Sequence, residues 1–134
     1  MSYGDLREEA VEKHHEAGEI LVEVMQEARE LVEPGTTHLE VAESAEERIV
    51  ELGGEPAFPV NISIDHEASH ATPEADDETV FGEDDMVCLD IGVHVDGYIA
   101  DAAVTVDFSG SDELVEAAEQ ALDAALDEVE AGAE

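Results

Sequence analysis

In the stretch MVCLDIGVHVDGYIADAAVTVDF, Met86 to Phe108, two aspartates, Asp90 and Asp101, interrupt the most apolar part of a very acidic chain. Asp96-Gly97 between two strand-like runs signals a two-residue hairpin of type I′, because that turn requires φ > 0 at both central residues. With this turn Val95 faces Tyr98, Val93 faces Ala100, Ile91 faces Ala102, Leu89 faces Val104 and Val87 faces Val106. That face is apolar almost throughout, which supports the register independently, since a slip of one residue exchanges the two faces. The other face carries Cys88, Asp90, Gly92 and His94 on one strand and Ile99, Asp101, Ala103 and Thr105 on the other. Gly92 then lies opposite Asp101 and Ala103 opposite Asp90. The two carboxylates become diagonal neighbours, about 7–8 Å apart at the backbone, and the small residues leave them room.

Two like charges flanked by apolar strands raise at least one pKa unless something positive sits between them. A divalent cation meets that need, because carboxylates are hard ligands that chelate one ion or bridge two. The cations of the chain, Lys13 and three Arg, all lie outside this segment. The competing reading is an exposed sheet face whose acids keep the protein soluble. Spacing alone does not separate the two, because so acidic a chain holds on the order of ten such pairs eleven residues apart by chance.

The chain has 134 residues, the length of one ordinary domain, with 38 Asp plus Glu against 4 Lys plus Arg and a formal charge of -34. An acidic disordered segment needs low hydrophobicity. Here 43% of residues are apolar and fall in periodic runs, so the composition argues for a fold. Acids on every helix beside a single lysine suggest a surface adapted to molar salt, where the Debye length is about 3 Å. Without a basic patch, direct binding to DNA or RNA is not expected. The polar start MSYGDLREEA, the absence of any membrane-length apolar run and the lone Cys88 together point to a cytoplasmic location.

From Asp5 to Val32 the pattern predicts one long helix, with Ala17, Leu21, Val24, Ala28 and Leu31 on one face and Pro34-Gly35 as its stop. Thr37 with Glu40 forms a capping box opening a second helix through Leu39, Ala42, Ala45, Ile49 and Leu52, ended by Gly53-Gly54. In the segment that follows, AFPVNISI reads as a short strand and the surrounding prolines as loop. A third helix, capped near Ser111, shows Leu114, Ala118, Ala121, Leu122, Ala125 and Val129 on one face.

The segments PAFPVNISIDHEASHATP, DETVFGEDD and MVCLDIGVHVDGYIADAAVTV resemble type II methionine aminopeptidases of the archaeal and eukaryotic kind, and the likeness runs along the whole chain. The resemblance implies an α+β class: the N-terminal half of a pita-bread fold, an antiparallel sheet with three helices packed on one side. Residues 1–134 are then a single incomplete domain. It further implies that Asp90 chelates one metal of a two-metal site, that Asp101 bridges both, and that His70 contacts the substrate and stabilises the transition state. Two divalent ions, commonly cobalt, manganese, iron or zinc in that family, would act on the N-termini of nascent polypeptides whose second residue is small. Two departures stand out. Ala71 follows the matching histidine where the family commonly has Tyr. Members of the family also run about twice as long, and their remaining ligands, one His and two Glu, lie in a second half, so a complementary C-terminal half is an expected partner.

The other candidates receive plainer readings. His14, His15 and His38 are expected on helix surfaces or caps, His66 in a loop near the cleft, His94 as a strand residue or a support behind the aspartates, and Cys88 as a buried, inert thiol. Three functions remain open at this stage: half of a methionine aminopeptidase, a partner-binding protein of the same fold without catalysis, and an inactive truncated product. Retention of Asp90, Asp101 and His70 together speaks against the second.

Overall fold

A computed structural model describes residues 8–133. Two helices come first, α1 (Glu8–Leu31) and α2 (His38–Glu51). Two short strands follow, β1 (Glu55–Pro56) and β2 (Asn61–Ile64), then the long hairpin β3 (Met86–Val95) and β4 (Tyr98–Asp107), and last α3 (Asp112–Asp127). Asp5, the expected start of the first helix, lies outside the described residues.

The hairpin register is the one expected from the turn, from Val95↔Tyr98 through Gly92↔Asp101 and Asp90↔Ala103 to Val87↔Val106. Asp96 and Gly97 take φ of 49° and 87°, the paired left-handed conformation of a type I′ turn. Lys13 of α1 forms a salt bridge with Asp96, and His14 Nδ1 donates to the Ile99 carbonyl at 3.0 Å, which ties α1 to the tip of the hairpin. β3 is the central strand, with β4 on one side and both β1 and β2 antiparallel to it on the other.

The inward face of β3 is sealed: Val87, Leu89, Ile91 and Val93 are fully buried, against Ala17, Val24, Ala28, Val41 and Ile49 from the two helices. Each such aliphatic side chain stabilises the fold by about 1.5–3 kcal/mol relative to an exposed one. The helical stripes are shifted slightly from their expected positions. Val32, one residue past α1, is buried while Leu31 is 36% exposed, and Val41 is buried where Leu39 is only half-buried. Thr37 caps α2 by accepting from the Glu40 amide at 3.1 Å. His38 is not a surface residue: it is buried, stacked on Phe81 with ring centroids 4.4 Å apart. The cause lies in residues remote in sequence, because Gly35 N donates to Phe81 O, Phe81 N to Thr36 O and His38 N to Thr79 O, stitching the 77–85 loop over the start of α2.

At α3 the packing on the sheet is light. None of its residues is buried, its contact with the sheet is with β4, and Leu114, Leu122 and Leu126 stay exposed. Helical periodicity tells which face is apolar, not what covers it. Ser111 is the N-cap residue, yet its side chain makes no cap bond. Asp107 organises the turn before the helix, accepting from the amides of Ser109 and Ser111 at 2.9 and 2.6 Å.

Candidate functional site

On the outward face of the hairpin, Asp90 and Asp101 line one cleft of about 510 Å³ together with Phe58, Pro59, Asn61, His70 and Thr72. Each wall has a local cause. Asn61 lies on the same face as Asp90 because β2 pairs with β3 as Asn61↔Asp90. The 70–72 segment is held along β2 by Ile62 N donating to Ala71 O at 2.7 Å and Thr72 Oγ1 donating to Val60 O at 2.5 Å. His70 is thereby brought beside Asp90, in a left-handed conformation with φ 61°. Such backbone is uncommon for a residue with a side chain and is maintained by the surrounding structure.

Phe58 reaches the cleft because Gly92 has no side chain. A Cβ at Gly92 would fall 2.2 Å from Phe58 Cε1 and 2.7 Å from two further ring atoms. Replacing Gly92 with Ala is expected to displace the ring and destabilise the fold by about 1–3 kcal/mol, the usual cost of overpacking. Denaturant unfolding measures this, and adding Phe58→Ala to Gly92→Ala should recover most of the loss; an unchanged midpoint in the single variant would contradict the contact.

The electrostatics are those of an unneutralised pair. The Asp90 carboxyl is pushed above the ordinary value of 3.8, first by burial, then by the negative charge of Asp101 and by a hydrogen bond shared with it. His70 and Asn61 act in the opposite direction. Asp90 Oδ1 is buried with no hydrogen-bond partner. A carboxylate oxygen withdrawn from water without a donor is suited to a cation, and the two hard oxygen donors suit a divalent one. Among the described residues no group of three His, Cys, Asp or Glu is placed to hold a metal ion. The chain therefore offers two carboxylates toward such an ion rather than a closed ligand set.

A folded-state pKa raised above the unfolded one means that the folded form binds the extra proton, so the stability of the metal-free fold falls as pH rises between the two values. Replacing Asp90 with Asn removes that cost. The metal-free variant is expected to melt higher than the unaltered chain at pH 7 and to show no such difference near pH 3, as thermal melts at the two pH values will test.

The remaining candidates fall elsewhere. His66 lines a second cavity of about 570 Å³ with His38, Asp65, Glu67, Asp77 and Asp85, and this cavity meets the aspartate cleft only at His70 and Thr72. His94 gives no support to the aspartates; its Nδ1 accepts from Gly97 N at 3.1 Å and its Nε2 lies 3.7 Å from Glu55. Cys88 is half-buried, and burial followed by the Asp90 charge keeps its thiol protonated. Sequence reasoning passed over Asn61, Phe58, Pro59 and Thr72. For Asn61 a signal existed, a polar residue between Val60 and Ile62 in a strand-like run, but without the β2–β3 register it pointed nowhere.

The chain belongs to the metallopeptidase family M24, which it matches over residues 12–134. Its sheet and helices are those of the pita-bread fold: a methionine aminopeptidase structure from Thermotoga maritima superposes with a TM-score of 0.85 at 28% identity, covering 92% of this chain and 54% of that one. Over 125 residues it is 55% identical to the methionine aminopeptidase of Archaeoglobus fulgidus, covering 93% of this chain and 43% of that protein. The Methanocaldococcus jannaschii methionine aminopeptidase is also 55% identical, over 122 residues that cover 90% of this chain and 42% of that protein. The chain thus spans less than half the length of these two relatives. No described helix is long and apolar enough to cross a membrane.

Proposed function

We propose that this protein removes the initiator methionine from nascent polypeptides whose second residue is small, in a two-metal site completed by a segment equivalent to the second half of its longer relatives. The carrying observation is the Asp90–Asp101 pair, with its unpartnered oxygen, sharing one cleft with His70 and an apolar wall. Asp90 and Asp101 are assigned as metal ligands, Asp101 as the bridging one. Divalent cations of the cobalt, manganese, iron or zinc type supply an acidified water and polarise the peptide carbonyl when bound. His70 donates a hydrogen bond to the carbonyl oxygen where negative charge develops. Phe58 and Pro59 pack against the apolar side chain of the first residue and exclude water from the aspartates. The exposed stripe of α3, Leu114, Leu122 and Leu126, is assigned to the completing segment. Residues 1–134 are on this reading one incomplete domain, in keeping with relatives of more than twice the matched length.

The test is release of methionine by the completed assembly from Met-Ala-Ser but not from a peptide with tryptophan second. Cleavage of neither peptide, or of both equally, overturns the reading.

We assign the protein to a cytoplasm of high salt. Its charge of -34 is opposed by few cations. One of them, Arg48, already binds Glu23, Glu27 and Glu51 at 2.6, 3.0 and 3.1 Å, clamping α1 to α2 on the exposed surface where each pair contributes little. Screening by solvent ions must therefore offset the repulsion. Helical circular dichroism is expected to rise from a largely unfolded value in millimolar salt to a plateau in molar salt. A signal independent of salt would contradict this.

A further inference from the structure

We propose that Asn61 is a positioning residue for the metal site, holding the Asp90 carboxylate so that its buried oxygen is turned to a divalent cation. This rests on the assignment of Asp90 and Asp101 as ligands and adds to it the group that fixes their geometry. Three observations carry the inference. Asn61 and Asp90 are directly paired across β2 and β3, which puts their Cβ atoms about 4.5–5.5 Å apart on one face. Asn61 is only 9% exposed, between Val60 and Ile62 at 1% and 2%. An amide withdrawn from water to that extent in an apolar strand needs a polar partner, and Asp90 is the polar side chain that the register places opposite it. Both residues line the same cleft, with Asp101 and His70.

The strand that carries Asn61 is itself held from both sides. Val60 N donates to Glu46 Oε1 of α2 at 3.1 Å, and the 70–72 segment binds Val60 O and Ile62 N. Asn61 therefore has little freedom to follow a moving carboxylate; it constrains the carboxylate instead. An amide suits this task. It donates to one oxygen of Asp90 without adding a charge to an already doubly acidic face, and it leaves the other oxygen free for the cation. Aspartate at this position would add a third negative group, and an apolar residue would leave the carboxylate free to rotate.

The experiment is manganese binding to the folded chain, followed by calorimetry and by the electron paramagnetic resonance signal of the ion, for Asn61→Leu, which keeps the branching of the side chain without its donor. Asn61→Ala is the second variant should Leu fail to fold. The expected result is a 10- to 100-fold loss of affinity, the usual effect of removing a group that orients a ligand, and a broadened resonance. Combined with Asp101→Asn, where binding depends on Asp90, Asn61→Leu should cause a further loss. Combined with Asp90→Asn it should cause none. Equal losses in both backgrounds, or unchanged affinity in Asn61→Leu alone, overturn the positioning role while leaving the aspartate site standing. No saturable binding to the unaltered chain overturns the aspartate site itself, and the role of Asn61 with it.

Discussion

Purified by itself and supplied with manganese, this chain is expected to release no methionine from Met-Ala-Ser, and adding the segment corresponding to the second half of its longer relatives should raise turnover from background to a readily measured rate. On the proposed assignment two carboxylates supply oxygen ligands without a nitrogen ligand, and among the described residues no group of three potential ligands comes together. An ion held this loosely is neither fixed in position nor strongly acidifying toward water. The cleft is also open on the side where Asp101 stands exposed, and bulk water there weakens every electrostatic contribution on which amide hydrolysis depends. The measurement is methionine release with the chain alone, the second segment alone, and both. Robust turnover by the chain alone would mean that residues other than those assigned complete the site.

The second large effect is expected from Asp101→Asn. Manganese affinity should fall by on the order of 100-fold, because one of the two carboxylates proposed as ligands is lost and half-buried Asp90 is left as the single charged group facing the ion. Glu40→Gln and Glu116→Gln, on α2 and α3, are the controls, because they remove the same charge from other parts of the acidic surface. Their affinity should stay within about twofold of the unaltered chain, which is the difference between a site and a diffuse counterion atmosphere. Equal losses in all three variants would show that the chain binds cations through its overall charge. The metal-free Asp101→Asn chain should also be somewhat more stable than its parent at pH 7, since the charge opposing Asp90 is gone.

How far the site could be read in advance differs from residue to residue. That Asp90 and Asp101 share one face was legible because the hairpin is local: a two-residue turn sets the register, and register sets which side chains share a face. His70 was legible only through resemblance, because it stands in a loop whose path depends on hydrogen bonds to β2. Asn61 and Phe58 were not singled out. Asn61 matters through β2 pairing with β3, which joins residues far apart in the chain, and Phe58 matters because Gly92 on β3 leaves space for its ring.

The same division runs through the fold. From sequence alone came the three helices with their apolar faces, the hairpin with its register, and the acidic surface, since all of these follow from periodicity and turn chemistry within a few neighbouring residues. The tertiary structure decided what lies against each face. It buried His38 under the 77–85 loop, left α3 without a side-chain cap from Ser111, and left the apolar stripe of α3 exposed. It also brought Asn61, His70 and Phe58 around the aspartate pair. The physical reason is that local sequence sets the conformation and pattern of a segment, whereas burial and the partner of a polar group depend on contacts between segments distant in the chain, which only the folded packing supplies.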